Sequence, residues 1–140
     1  MFELASHRKV QLQFKSLDNG NKLSVIIENG ITQKSIPTGH WELTGFENEG
    51  VSFLSMNTSK KFVLTVKPKS NVYGGSIVIG CPSIGQDDFK LLKNMKFFNR
   101  YPFRSSKSLC ELVVGNDFAG VKSSLQKSPN SKKLSLIMGF

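Results

Sequence analysis

Short runs in which apolar and polar residues alternate, separated by turn residues, dominate the first 80 positions of this chain. The clearest run covers residues 10–15, where Val10, Leu12 and Phe14 alternate with Gln11, Gln13 and Lys15. A period of two with one polar side is typical of a half-buried strand. The turn-forming residues 18–21 (Asp-Asn-Gly-Asn) follow, and a second alternating run begins at Lys22. Because Asn and Gly tolerate the backbone angles of a tight turn, we predict a β-hairpin over residues 10–28.

Similar runs recur at a spacing of about 8–12 residues, which is typical of antiparallel sheets, sandwiches and barrels. They cover residues 31–36, 40–46, 51–56, 62–66, 75–80, 109–114 and 133–138. We therefore predict a β-rich α+β fold, an antiparallel sheet, sandwich or barrel of about seven to nine strands. The length of 140 residues suits a single domain, 1–140, with a polar, mobile loop near 127–132.

One segment changes from the period of a strand to the period of a helix, and a helix is predicted near residues 84–100. Ser83 and Gln86 have the spacing of a capping box, and two aspartates follow, where carboxylates suit the positive end of the helix dipole. One side of this helix would hold Leu91, Leu92, Met95 and Phe98, and the other Lys90, Lys93, Lys96 and Arg100. Pro102 is expected to end the helix near Tyr101, because the residue before a proline avoids helical angles.

The chain is strongly basic, with 19 Lys and Arg against 10 Asp and Glu and a formal net charge of +9. Residues 87–140 hold ten basic and four acidic residues, so two thirds of the excess lies in this part. A basic surface of this kind favours a polyanionic partner such as nucleic acid.

Few residues are available for catalysis or for metal binding. The chain has two histidines and two cysteines, and neither cysteine belongs to a Cys-x-x-Cys pattern. Cys81 and Cys110 are expected to be small buried hydrophobic residues, with a disulfide left open. His40 is interpreted as a turn or edge-strand residue. We therefore predict a non-catalytic protein with no cofactor and no metal site.

Two features of the sequence bear on location. No run of about 18 apolar residues occurs, so no membrane span is predicted. The charged residues near the N-terminus follow the apolar ones, which is the reverse of a secretory signal. An intracellular location, cytoplasmic or nuclear, in a host or infected cell is therefore expected.

The segment that is most informative about function combines cations with aromatic rings. Its candidate nucleic-acid-binding residues are Lys90, Lys93, Lys96, Phe97, Arg100, Tyr101, Arg104 and Lys107. Phe97 falls on the basic side of the helix, where a ring makes sense if bases stack on it while Lys and Arg contact phosphates. We therefore predict a protein that binds single-stranded DNA or RNA, with stacking on Phe97, Tyr101 or Trp41.

Other interpretations stay open. Gln11, Gln13 and Lys15 would form a second polar surface if the opposite side of their strand is core. The cationic side of the helix is equally explained as a solvated face, and an acidic protein or a membrane surface would suit the same charge.

The main alternative function is a structural or assembly β-domain, viral or accessory, that binds protein partners or self-associates. Its support is the strand-rich pattern and an apolar segment at 136–140. Such a segment could add a strand to a neighbouring molecule. It is expected instead to pair within its own sheet.

Overall fold

The fold consists of β-strands throughout the part of the chain that the structure describes. A computed structural model gives residues 2–4, 9–28, 30–48, 50–56, 61–80, 98–106, 108–116 and 136–139. Its twelve strands are β1 (Phe2–Leu4), β2 (Val10–Ser16), β3 (Lys22–Ile27), β4 (Gly30–Thr32), β5 (Gly39–Asn48), β6 (Val51–Ser55), β7 (Val63–Val66), β8 (Asn71–Tyr73), β9 (Ser76–Gly80), β10 (Phe98–Arg104), β11 (Leu109–Gly115) and β12 (Leu136–Met138).

Ten of these strands form one mainly antiparallel sheet that curls into a half-barrel. The strand order is β3-β2-β5-β6-β10-β11-β9-β1-β4, and β7 pairs with β5 beside this path. The other two strands, β12 and β8, form a small parallel sheet. The predicted β-rich antiparallel architecture is confirmed. Twelve strands are described against the seven to nine predicted, because the sequence did not indicate β1 and β8, which have only three residues, or β10, whose start was assigned to the helix.

The predicted hairpin at 10–28 is confirmed as β2 and β3. Its register runs from Val10 opposite Ile27 to Lys15 opposite Lys22. The amide of Asn21 donates to Asn19 Oδ1 at 2.9 Å, and Gly20 has the positive φ of 77° that its place in the turn requires. Val10, Leu12 and Phe14 are buried on the inner face of the sheet, as the alternation predicts.

The long strand β5 lies at the centre of the half-barrel and contains a β-bulge. Its register with β2 pairs Gln13 with Gly45 but Phe14 with Leu43, so Thr44 is an extra residue. The Thr44 hydroxyl donates to the Gln13 carbonyl at 3.2 Å, which stabilises the bulge. Because one residue is added, the inward-facing side chains change from odd positions before the bulge (Trp41, Leu43) to even positions after it (Phe46, Asn48). The opposite edge of β5 pairs with β7 in its first half and with β6 in its second half.

Aromatic rings fill much of the hydrophobic core. Phe46 lies between Phe53, with ring centroids 4.9 Å apart, and Phe103, with centroids 5.2 Å apart. The ring of Tyr101 meets Phe62 edge to face at 5.9 Å. Core residues therefore come from strands that are distant in sequence and adjacent in the sheet.

The prediction of a helix near 84–100 is wrong at its C-terminal end, because residues 98–100 belong to strand β10. Residues 81–97 lie outside the described part, and the described residues contain no helix. β10 pairs with β11 at seven positions, and this nonlocal ladder outweighs the local helical pattern. Pro102 continues the strand opposite Glu111, as proline can where the ladder does not use its nitrogen.

Cys110 is buried, as expected, but it is disulfide-bonded, whereas the sequence favoured the interpretation as a simple hydrophobic residue. Cys81, the other cysteine of the chain, lies outside the described residues. Disulfides are rare in reducing compartments. A disulfide is therefore unexpected in the intracellular location that the sequence predicts.

The C-terminal segment pairs within its own chain, as predicted, but not within the large sheet. β12 runs parallel to β8, with Leu136, Ile137 and Met138 opposite Asn71, Val72 and Tyr73. The predicted polar loop near 127–132 lies outside the described residues.

Candidate nucleic-acid interface on the outer face of the sheet

The outer face of the large sheet, defined here as the side that points away from the core, carries a row of residues across six strands. The strand registers place these residues side by side in the order Ser24, Gln13, Gly45, Leu54, Arg104 and Leu109. The row combines amide, hydroxyl and guanidinium groups with two exposed leucines. The predicted polar surface of β2 is thus part of a larger face, because the opposite side of β2 is core.

A groove of about 670 Å³ lies along this row, near the end where β6 and β10 meet. Its described lining consists of Gln13, Ser52, Leu54, Ser55, Met56, Arg104, Ser105 and Ser106. Four of these residues are serines, and none is a carboxylate. Hydroxyl and amide groups beside a guanidinium can donate hydrogen bonds to phosphate oxygens.

At Gly45, in the middle of the row, the neighbouring strand approaches the backbone closely. A Cβ atom at this position would lie 2.5 Å from the Phe53 carbonyl oxygen and 3.2 Å from Leu54 Cδ2. A side chain at residue 45 would therefore displace the neighbouring strand.

The two described arginines of the predicted site differ in their partners. Arg100 Nη1 lies 3.0 Å from Glu111 Oε1, so its charge compensates a carboxylate on the adjacent strand. Arg104 is exposed and lines the groove, and no carboxylate of the described residues forms an ion pair with it. Of the two arginines, Arg104 is therefore the one that is available to an anionic ligand.

Lys61 fixes one end of the groove. Its ammonium group donates to Ser55 Oγ at 3.0 Å and to the Met56 carbonyl oxygen at 2.7 Å. The Ser55 oxygen accepts from Lys61, so its own hydrogen remains available as a donor. Lys61 thus adds positive charge next to the lining and orients one of its hydroxyls.

The turn between β10 and β11 lies next to the groove and is held by serines. The Ser105 amide donates to the Ser108 carbonyl at 2.9 Å, and the Ser108 amide donates to Ser105 Oγ at 3.0 Å. Lys107, a predicted binding residue, belongs to this turn in sequence but lies outside the described residues.

Of the predicted binding residues, the structure describes Arg100, Tyr101 and Arg104. The others, Lys90, Lys93, Lys96, Phe97 and Lys107, lie outside the described part. Arg100 and Arg104 point to the outer face, and Tyr101 points to the core. The sequence did not indicate Ser52, Leu54, Ser105 or Ser106. Ser52 and Leu54 reach Arg104 only through the pairing of β6 with β10, whereas Ser105 and Ser106 follow Arg104 directly in the chain.

Base stacking on Tyr101 or Trp41 is incompatible with their positions. Tyr101 is 5% exposed and Trp41 is 4% exposed. Burial raises the pKa of the Tyr101 hydroxyl, and Trp41 Nε1 donates to the Pro37 carbonyl at 2.8 Å. All nine aromatic rings whose side chains are described are buried. Phe97, the third ring predicted to stack on bases, lies outside the described residues, so its role stays a prediction.

A separate polar contact joins the turn after β2 to the start of β5. The His40 amide donates to Asp18 Oδ2 at 3.0 Å, and His40 Nδ1 lies 3.5 Å from Asp18 Oδ1. The hydrogen bond from the His40 backbone is the main cause that lowers the pKa of Asp18 from its usual value of 3.8. His40 itself is in β5, opposite Thr65 of β7.

The described residues contain no group of three or more His, Cys, Asp or Glu side chains that could hold a metal ion. Within the same part of the chain, no helix is long and apolar enough to cross a membrane. Comparison of the chain with protein-family models, with curated proteins and with solved structures gives no match.

Proposed function

We propose that this protein is a non-catalytic binder of single-stranded DNA or RNA, and that the strand lies along the outer-face groove. The observation that carries the proposal is Arg104, an exposed cation without an acidic partner among the described residues, in a groove whose described lining has no carboxylate. Phosphate contacts by Lys and Arg supply most of the affinity of such proteins. The formal net charge of +9 supports the same class of ligand.

The burial of the described rings changes the mechanism that we propose for the bases. Leu54 and Leu109 flank Arg104 on the outer face and are exposed. Bases would pack on these apolar side chains, while the groove serines and Gln13 donate to phosphate or base oxygens. The predicted basic residues between 90 and 107 would extend the phosphate-binding surface along the chain.

The test is fluorescence anisotropy with a labelled single strand of about 20 nucleotides, as DNA and as RNA, at about 50 and 200 mM salt. We expect affinity to fall steeply between the two salt concentrations, because each neutralised phosphate releases a counterion. Absence of binding at the lower salt concentration would reject the proposal.

The groove itself is tested by Arg104→Gln, with Lys34→Gln as the matched control. Both variants remove one exposed positive charge, but Lys34 lies in a different part of the surface, beside β7 and β8. We expect Arg104→Gln to weaken binding about three- to tenfold and to lower the salt slope by about one. Lys34→Gln should change affinity less than about twofold. Equal losses in the two variants would mean that binding depends on overall charge and not on the groove.

The second candidate function is an assembly β-domain that binds a protein partner. Leu54 and Leu109 support it as well, because leucines that are 60% and 48% exposed on one face are also found at protein interfaces. The two functions differ in the anisotropy experiment, since a protein-binding domain would show only charge-driven binding, which Arg104→Gln and Lys34→Gln weaken equally.

A further inference from the structure

The C-terminal strand lies in a slot between β7 and β8, which are not paired with each other in the described sheets. β12 pairs with β8, and the Gly139 amide then donates to the Tyr73 carbonyl at 3.0 Å. The Thr65 amide of β7 donates to the Gly139 carbonyl at 2.7 Å. One residue therefore hydrogen-bonds to both sides of the slot, and its position in the ladder is fixed.

The slot is selective for glycine at this position. A Cβ atom on residue 139 would lie 2.7 Å from Leu64 Cδ1 and would also overlap Val72 Cγ1. Leu64 and Val72 are buried, so they have little space to move. The slot thus accepts a short strand that is followed by glycine, which is the pattern of residues 136–139.

The attachment of β12 is small compared with that of the strands around it. Among the described residues it consists of a three-residue parallel ladder and the two hydrogen bonds of Gly139, and it lies outside the ten-stranded sheet. Segments with so few contacts open at a low free-energy cost relative to global unfolding.

The walls of the slot have supports of their own. β7 pairs with β5 at four positions, from Gly39 opposite Val66 to Glu42 opposite Val63. The Tyr73 hydroxyl contacts Ser76 Oγ and donates to the Gly115 carbonyl at 3.3 Å, which ties β8 to the large sheet. Release of β12 would therefore leave a formed slot.

The connection to the rest of the chain is long. β11 is followed by Asn116, and the next described residue is Leu136. An extended chain covers roughly 3.4 Å per residue, so a connection of this length can reach a neighbouring molecule. Insertion of the same segment into the slot of a second copy would keep every hydrogen bond described above.

From this geometry we propose that two copies of the protein exchange their C-terminal strands, so that β12 and Gly139 of one copy fill the β7–β8 slot of the other. The inference is independent of nucleic-acid binding, since the slot lies apart from the groove. The chain's own strand competes at an effective concentration on the order of millimolar, so the exchanged dimer forms as the protein concentration approaches that range.

The first test is the mass of the full-length protein by light scattering after size-exclusion chromatography. We expect a monomer at about 10 µM and a dimer fraction above about one half near 1 mM. A protein that remains monomeric over this whole range would overturn the proposal.

Two further measurements tie the dimer to the slot. An excess of a synthetic peptide of residues 132–140 should convert the dimer to monomers, whereas the same peptide with Gly139→Val should not. Full-length Gly139→Val should remain monomeric near 1 mM, with Lys22→Gln, on the edge strand β3, as a control that dimerises normally. A dimer that resists the native peptide would overturn the proposal, and this arm uses the wild-type protein even if Gly139→Val does not fold.

Discussion

The two faces of the large sheet carry different residues, although they are built from the same strands. The inner face holds most of the aromatic rings, packed against one another in the core. The outer face holds glutamines, serines, arginines and isolated leucines around an open groove. The aromatic residues that the sequence associated with ligand binding therefore have a structural role where they are described, and the polar residues between them form the candidate site.

This difference shows why aromatic residues among cations are a weak signal of nucleic-acid binding in a β-protein. In β10, Tyr101 and Phe103 alternate with Arg100, Pro102 and Arg104. On a helix these residues would mix on one surface, but on a strand they separate onto opposite faces. The same five residues thus support different functional interpretations under the two backbone geometries.

The largest predicted difference between the two faces is the loss of unfolding free energy when one side chain on each face is replaced by alanine. Phe46→Ala should reduce the free energy of unfolding by about 3–5 kcal/mol, because the ring is fully buried between Phe53 and Phe103. Leu54→Ala, on the outer face, should change it by less than about 1 kcal/mol. Urea denaturation followed by Trp41 fluorescence measures both values. Similar losses in the two variants would contradict the assignment of the faces.

A second prediction separates packing from ligand contact at Tyr101. Tyr101→Leu should reduce the free energy of unfolding by about 1–3 kcal/mol, because the ring packs against Phe62 and is buried. The oligonucleotide affinity of the folded variant should stay within about twofold of wild type, since the ring does not reach the outer face. A large loss of affinity without loss of stability would place Tyr101 in the binding site after all.

The smallest effect is expected at the exposed contact between Asp18 and His40. The pKa of Asp18 is lowered in the folded state, so its contribution to stability is present above the usual value of 3.8 and is lost as pH falls through the folded-state pKa. The unfolding midpoints of wild type and Asp18→Asn should therefore differ at pH 6 and converge toward pH 2. Denaturation at a series of pH values tests this, and a difference that grows on acidification would refute it.

Local patterns predicted the strands whose partners are close in sequence. The β2–β3 hairpin has a turn of Asn and Gly and a clean alternation, and its inner and outer faces were both predicted from residues 10–28. β10 was not predicted, because its main partner is β11 and its chemistry fits a helix equally well. Pairing between strands decides such ambiguous segments, and a single sequence does not reveal it.

The candidate site could be predicted only in part for the same reason. The sequence indicated Gln13 as part of the polar face of a predicted strand, and it indicated Arg104 as part of a basic segment. Their position in one groove depends on Gly45 and Leu54, which connect β2 to β10 through two intervening strands. The spacing of residues along the chain does not show which strands are neighbours in the sheet, so the groove could not be predicted from it.

The extra residue in β5 has a consequence for how this protein can vary. Upstream of Thr44, inward positions carry odd numbers, and downstream they carry even numbers. Deleting that one residue would remove the bulge and restore regular alternation, so that Leu43 and Phe46 would both still face the interior and Glu47 would still face outward. A one-residue deletion elsewhere in the strand would instead turn the inward residues of one half toward solvent, so divergent versions of the chain should lose a residue at the bulge more readily than at other positions of β5.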